Sequence, residues 1–454
     1  MRYLDKFLKW LGFAMLLAPF IWYVACQFDE ALDPAVQAVL NAEPPEPEGE
    51  NGYYALVGMH ASAETDDTHA YGRDLIMQFR QALAADPEMS EPYKFPKQAL
   101  DFRGDNALLC APRKSACLPN VTGTSAALDR ALADNKLLLE RYRALYRATH
   151  FVETLPPHHA APFPDYPYKA HELLLAAIAR DAANGRTLPA LQALAADTNY
   201  WRMVLANART LITKMVAVAR IDGNYRLLAE IIATKPLLPA DVERVQMLLV
   251  PLSPAERNMI EPMRWEFRIS GDYAQLIKNS IREGIYGEDN SKKTPMRSAL
   301  VWLAEPLAQE NATRNLVYRH HMAVAALATA PTREFDARRD ALAEQHAVKI
   351  DWHYLYNPLG KFMFQIGEPL WQPYIARLHD LDGYIHLVRL QLAVTQAKIA
   401  PPDVPAFLEK SGPLAADPYT GQLMEWDPEA KTLSFRARGA RPKENPVLVV
   451  RVNG

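Results

Sequence analysis

The chain is predicted to be mainly α-helical: an irregular array of antiparallel helical hairpins with a small C-terminal β element and one N-terminal transmembrane helix. Three observations carry that expectation. Apolar residues recur at i, i+3 and i+4 through most of the 454 residues. Glycine is scarce at 19 and proline abundant at 35, against usual shares of ~7 % and ~5 %, which suits helices started and stopped by proline better than a glycine-turned β protein. Only near residue 422 does the apolar period shorten to two.

The first element is MRYLDKFLKWLGFAMLLAPFIWYVACQF. Arg2, Lys6 and Lys9 precede a run from Trp10 to Cys26 that has no side chain charged at neutral pH. At the helical rise this run covers about 25 Å, and Phe7, Leu8 and Phe28 extend it, so residues 7–28 are expected to enter a lipid bilayer and cross it once. The cations ahead of the run, with Asp29, Glu30 and Asp33 behind it, predict a cytoplasmic N terminus and a periplasmic body at a bacterial inner membrane. Trp22 and Tyr23 suit the headgroup level of such a helix. A cleaved signal peptide is one alternative, disfavoured by the length of the run and the bulk of Phe20, Trp22 and Tyr23. A lipoprotein is another, because Val24-Ala25-Cys26 resembles the end of a lipobox, with Tyr23 where leucine is usual.

The expected organisation continues with an acidic, proline-rich spacer over 29–52, an N-terminal helical subdomain over 53–155, a helical array over 156–410 and a β element over 411–454. EPPEPEGEN, residues 43–51, has no side chain suited to a core and should be extended. NGYYALVGMHA then reads as a short strand or a first helix, and 67–83 as a helix with Tyr71, Leu75, Ile76, Phe79 and Leu83 on one face. Residues 125–149 form the clearest helical pattern, with Ser125 as its N-cap. The prolines of LPPHHAAPFPDYPY forbid regular helix and mark a stiff crossover. Helices are expected over 169–183, 188–195, 199–221, 225–234, 240–248 and 254–268; Ser253-Pro254-Ala255-Glu256 has the form of a capping box with proline at the first position. After a polar loop over 284–295 come helices at 296–307, 312–330 and 332–347, an irregular aromatic segment at 351–369, and helices at 372–380 and 384–398 broken at Asp382-Gly383. Strands are expected at 422–426, 432–437 and 447–452.

Net charge is −3, and no block of lysine and arginine is dense enough to track a phosphate backbone, so no nucleic-acid partner is expected. Of three cysteines, Cys26 belongs to the anchor, while Cys110 and Cys117 bracket CAPRKSAC. Two thiols with no histidine nearby make a poor tetrahedral metal site. On the oxidising side of a membrane a disulfide between them is the better reading.

No familiar catalytic signature is present: there is no H-E-x-x-H, G-x-S-x-G, P-loop or G-x-G-x-x-G. His171-Glu172 lacks a second histidine one turn on. The adjacent pairs His158-His159 and His320-His321 would diverge by about 100° on a helix, a poor chelating geometry. Asp380-Leu381-Asp382-Gly383 lacks the further carboxylates of a calcium loop and reads as helix capping. Asn311-Ala312-Thr313 matches a glycosylation pattern, but Asn311 reads as the cap of the following helix. No catalytic, cofactor-binding or metal-binding residue is assigned. Trp352, Tyr354, Tyr356, Phe362 and Trp371, in the densest aromatic stretch, form a candidate groove for a partner, although such clusters are more often core.

The ending Asp417-Pro418-Tyr419-Thr420-Gly421-Gln422, followed by Glu425-Trp426-Asp427, is similar to the close of many uncharacterised bacterial envelope proteins, and its loop resembles one near the end of major pseudopilins. Leu423 departs from both patterns, and the N terminus lacks the prepilin signature. With NGYYALVG and YNPLGK, these motifs give the chain a resemblance to a proteobacterial membrane-anchored envelope family without assigned activity, which implies a fold and no functional residue. The expected function is that of a single-pass inner-membrane protein whose periplasmic helical domain binds a protein partner or serves as a scaffold in an envelope assembly. The alternative is an envelope hydrolase or transglycosylase acting on wall polymer, with a carboxylate pair too far apart in sequence to recognise.

Overall fold

The computed structural model describes all residues except 1, 46, 48, 97–99, 123, 271–272, 287–293, 347–354, 368–370, 441–444 and 453–454; of residues 2–9, 12, 14, 16, 273–277, 286, 346 and 366–367 it describes the backbone alone. The chain is mainly helical with a small C-terminal antiparallel sheet. It forms two compact units: unit 1 is Met1–Ala42, Glu266–Val324 and Arg339–Leu370, and unit 2 is Glu43–Trp265, Ala325–Arg338 and Trp371–Gly454. The chain therefore passes between units several times, where the sequence suggested consecutive segments.

Helix α1 (Arg2–Ala25) opens the chain. Among the described residues no helix is long and apolar enough to cross a membrane, so the expected transmembrane segment is present as a helix and is not identified as a span. Helix α2 (Pro34–Leu40) starts on a cap from Asp33, whose Oδ1 accepts from the Ala35 amide at 2.8 Å, with Pro34 in the first turn. It buries Val36 and Val39 against Phe267, Val317, Tyr318 and Phe364, the core of unit 1. Part of the expected spacer is thus packed structure.

NGYYALVG becomes a helix, α3 (Gly52–Gly58), because Asn51 caps it: its Oδ1 accepts from the Tyr53 amide at 3.1 Å while its Nδ2 donates to Val152. Asp67 caps α4 (Thr68–Ala85) in the same way. After α5 (Cys117–Thr122), the single helix expected over 125–149 is two, α6 (Ser125–Asp134) and α7 (Lys136–Ala144). The break is Asn135, buried and exchanging hydrogen bonds of 2.7 Å with both the amide and the carbonyl of Arg103. A tertiary partner for an asparagine overrides helical periodicity there. Thr124, not Ser125, occupies the N-cap position.

Helix α8 (Tyr168–Ala183) matches its expected range, but α9 (Thr187–Asn207) and α10 (Leu211–Thr234) replace three shorter helices. The boundary falls at residues 208–210 because a carboxylate just ahead of the proline-rich crossover meets the start of α10. Buried Glu153 accepts from the Thr210 amide at 2.9 Å, from the hydroxyls of Thr210 and Thr213, and from the Arg209 amide. A negative group at a helix start satisfies donors that the helix cannot and complements its dipole. Helix α11 (Pro239–Leu248) precedes α12 (Pro254–Arg257), where the predicted capping box forms with both reciprocal bonds. It stops after one turn, and α13 (Ile260–Ile269) restarts.

Helix α14 (Tyr273–Tyr286) was not marked by the sequence pattern; α15 (Pro295–Ala304), α16 (Glu310–Thr329) and α17 (Phe335–His346) were. The irregular aromatic segment contains a helix, α18 (Pro358–Gly367). Helix α19 (Gln372–Gln396) runs unbroken through Asp382-Gly383. Gly383 is there for close approach and not as a stop: a Cβ on it would lie 2.8 Å from the Phe435 ring and 2.9 Å from Pro418. After α20 (Val404–Lys410) come β1 (Glu425–Asp427), β2 (Thr432–Arg436) and β3 (Val447–Arg451), in spatial order β1-β2-β3 with Trp426 opposite Leu433 and Leu433 opposite Val450. In unit 2, α10 packs on α9, α8 and α19, and the sheet lies against α19 and α10. Trp201, Tyr142, Tyr225 and Tyr384 are fully buried there.

Candidate functional site

Cys110 and Cys117 form a disulfide with Cα atoms 5.3 Å apart, as the spacing predicts. The loop is held at both ends. The Cys110 amide donates to the Glu172 carbonyl at 3.1 Å, and the amides of Cys117 and Leu118 donate to Glu230 Oε2 at 2.8 and 3.1 Å. Between them Arg113 reaches α10, where its Nε donates to Asp222 Oδ2 at 2.6 Å.

That pair stands at a cleft of about 490 Å³ within unit 2, lined by the disulfide loop, α10, α19 and the segment leading to β3. Asp222 also accepts from Arg226 Nε at 2.9 Å, and the Arg226 guanidinium lies 5.1 Å above the Tyr384 ring. Burial by itself would raise the Asp222 carboxyl; the guanidiniums of Arg226 and Arg113 outweigh it and hold the group below its ordinary value. On the α19 side, Arg377 Nε donates to the Gly439 carbonyl at 3.1 Å. Asp380 Oδ1 accepts from the Tyr419 hydroxyl at 2.6 Å and the Arg438 amide at 2.9 Å, and its Oδ2 accepts from the Gly439 amide at 2.7 Å. Burial raises the Asp380 carboxyl above its ordinary value despite these donors. Gly439 is required by the fit: a Cβ would lie 2.8 Å from the Arg377 nitrogen and 2.9 Å from Asp380 Oδ2.

Among the described residues, Arg113, Arg226 and Arg377 line the cleft together with Asp222 and Asp380, and both of these carboxylates accept hydrogen bonds from protein donors. A guanidinium has five N–H groups in a fixed fork, which suits bidentate capture of a carboxylate or another oxyanion. The chemistry available is binding of an anionic group.

A second polar cluster is sealed in the core of unit 2. His171 Nε2 lies 3.2 Å from Asp197 Oδ2 and 3.0 Å from Asn224 Oδ1, and Arg220 donates to His171 Nδ1 at 3.1 Å, which leaves the imidazole proton on Nε2. Asp197 Oδ1 accepts from the hydroxyls of Tyr142 and Tyr146 at 2.7 and 2.9 Å. The histidine and aspartate resemble a catalytic pair, yet both are buried, and the cluster's bonds join α7, α8, α9 and α10. It organises the core. Asp197 and Asn224 carried no mark in the sequence.

Of the residues expected to form an aromatic groove, Trp352 and Tyr354 lie outside the described residues. Tyr356 is half-buried in unit 1 with its hydroxyl donating to the Phe28 carbonyl at 3.4 Å, and Phe362 is exposed in the same unit. Trp371 is buried in unit 2 beside Tyr374. His320 and His321 are buried, and burial pushes His321 down to about 4. Among the described residues no group of three or more histidine, cysteine, aspartate or glutamate side chains is placed to hold a metal ion. The cap of α16 is not Asn311 but Asp29, which accepts from the Asn311 and Ala312 amides at 2.7 and 3.1 Å.

No family model, curated protein or solved structure matches this chain.

Proposed function

We propose that the chain is a single-pass protein of a bacterial inner membrane whose helical body, periplasmic and built as an irregular array of helical hairpins, binds a protein partner through an acidic group. The observation that carries the reading is the cleft lined by Arg113, Arg226 and Arg377, where both lining carboxylates already have protein donors. A partner that brings its own carboxylate would meet arginine forks able to make charge-assisted bonds to it. The anchor rests on the cation-flanked apolar run and on the exposure of Trp10, Phe13, Met15 and Phe20 around α1. Cys26 is buried just past the end of α1, its thiol 3.8 Å from the Leu355 carbonyl, which favours a retained anchor over a lipid-modified residue. The disulfide fits an oxidising compartment. The family resemblance agrees with an envelope role without adding residues to it.

One observation favours the hydrolase alternative. Asp222 and Asp380 line one cleft with their carboxyls shifted in opposite directions, as an acid and a base would be. Both, however, are tied to protein donors that a substrate would have to displace, so binding is the stronger reading.

A photo-crosslinking residue at Asn445, on the cleft lining, tests it in cells. A discrete adduct that disappears when Arg113→Glu and Arg377→Glu are introduced supports the binding cleft. An adduct indifferent to both reversals, or none at all, sinks it; release of soluble fragments from purified wall polymer by the full chain, abolished by Asp380→Asn, would establish the hydrolase instead.

A further inference from the structure

Helix α15 has an apolar face that stays largely exposed among the described residues. Met296 is 76 % exposed, Trp302 65 %, Leu300 49 % and Leu303 45 %, while Val301 alone is buried. Met296, Leu300 and Leu303 recur at i, i+4 and i+7, with Trp302 beside them, so the exposed face is continuous and apolar. Four large apolar side chains on a ten-residue helix exceed the scattered exposure usual on a soluble surface.

The position of this face identifies what covers it. The Tyr23 hydroxyl, near the C-terminal end of α1, donates to the Trp302 carbonyl at 3.3 Å, and the two rings lie 6.1 Å apart. Neighbouring Trp22 donates from Nε1 to the Leu355 carbonyl at 2.6 Å. The Cys26 carbonyl accepts from Gln309 Nε2 at 2.9 Å, and Asp29 caps α16. All these residues belong to unit 1, so the end of α1 is fastened to the element that carries the apolar face. Leu355 and Phe28, both more than half exposed, extend the apolar surface around the same point.

We infer that α15 is an interfacial helix: it lies in the headgroup layer of the bilayer that α1 enters, with Met296, Leu300, Trp302 and Leu303 inserted among the upper acyl carbons. The occupant is lipid because the face is continuous with the end of α1, whose Trp22 and Tyr23 are the side chains favoured at that depth. Unit 1 then sits on the membrane as a collar at the end of the anchor. The inference rests on the membrane reading of α1.

The full chain, reconstituted into phosphatidylethanolamine and phosphatidylglycerol vesicles, tests both readings on one sample. Flotation after an alkaline wash reads the anchor. The emission lost in Trp302→Phe, an exposed and conservative change, reads α15. The expected result is that most of this emission is quenched by lipids brominated high on the acyl chain, less by lipids brominated near the bilayer centre, and little by aqueous acrylamide. Quenching by acrylamide alone in chains that float overturns the interfacial helix and leaves the anchor. Protection from both quenchers means that a protein or a second copy covers the face, and also overturns it. Chains that fail to float remove the anchor and the interfacial helix with it.

Discussion

Arg113 donates from Nε to Asp222 Oδ2 at 2.6 Å across 109 residues of sequence, and this bond makes the disulfide loop part of the cleft. Asp222 is buried in α10, so the ion pair has one partner in the core and one, Arg113, about half exposed. The loop presents that arginine because its ends are fixed by the Cys110–Cys117 bond and by Glu230. A staple of the fold thus also positions a charge on the cleft wall.

Removing the staple should cost stability. The double change Cys110→Ala, Cys117→Ala is expected to lower the unfolding free energy by up to about 2.5 kcal/mol, the loop-entropy value for so short a ring. Denaturant unfolding of the oxidised chain and the variant checks the loss. Alkylation at lysis checks the bond in cells: full labelling of both thiols without reduction would remove the disulfide and weaken the periplasmic assignment with it.

Replacing Asp222 by asparagine leaves two guanidiniums without their carboxylate. The expected loss is about 1–3 kcal/mol, at the low end because Arg113 is half in solvent. The pH dependence has a definite sign. Since the folded value is held below the ordinary one, the ion pair stabilises fully above the unfolded value near ~3.9 and its contribution is lost as pH falls from there through the folded value. Urea unfolding should therefore show a steeper acid decline in the native chain than in Asp222→Asn; parallel declines would refute the assignment.

Elements set by local chemistry were legible, and those set by distant partners were not. The Ser253–Glu256 capping box, the two-residue period of the terminal strands and the short cysteine spacing each act within a few residues, and each forms. Asn135 breaks a helix because of Arg103, Glu153 starts one at Thr210, and Asp29 caps one at Asn311. None of these pairings leaves a trace in periodicity, because an isolated polar residue looks alike whether its partner is water or a remote backbone. The cleft was invisible for the same reason: Arg113, Asp222, Arg377 and Gly439 come from four separate stretches. The aromatic segment at 351–369, by contrast, is conspicuous in the sequence only because its residues are contiguous.

The cap from Asp29 can be isolated. Asp29→Ala removes the acceptor for the Asn311 and Ala312 amides at the start of α16, and the loss expected of an N-cap is about 1 kcal/mol. Hydrogen exchange should quicken at amides 311 and 312 while the centre of α10 is unaffected. Unchanged exchange at those two amides would mean that the helix start has another partner.

Lys214 makes the sharpest test of the core of unit 2. It is fully buried in α10, and its Nζ donates to the Leu205 carbonyl at 2.6 Å. Burial pushes its ammonium down to about 7, against a smaller pull from Glu256 and Glu153. In the unfolded chain the same group titrates near ~10.4, so above about pH 7 the unfolded state holds a proton that the folded state has released. Stability must then rise with pH, by about 1 kcal/mol per unit between pH 7 and 9 from this group. Lys214→Met keeps the length of the side chain and has no charge to desolvate; it should lose that slope and unfold at higher denaturant concentration at pH 7. A native profile already flat over this range, or a slope that survives in the variant, would show that Lys214 keeps its ordinary ionisation and that solvent reaches it.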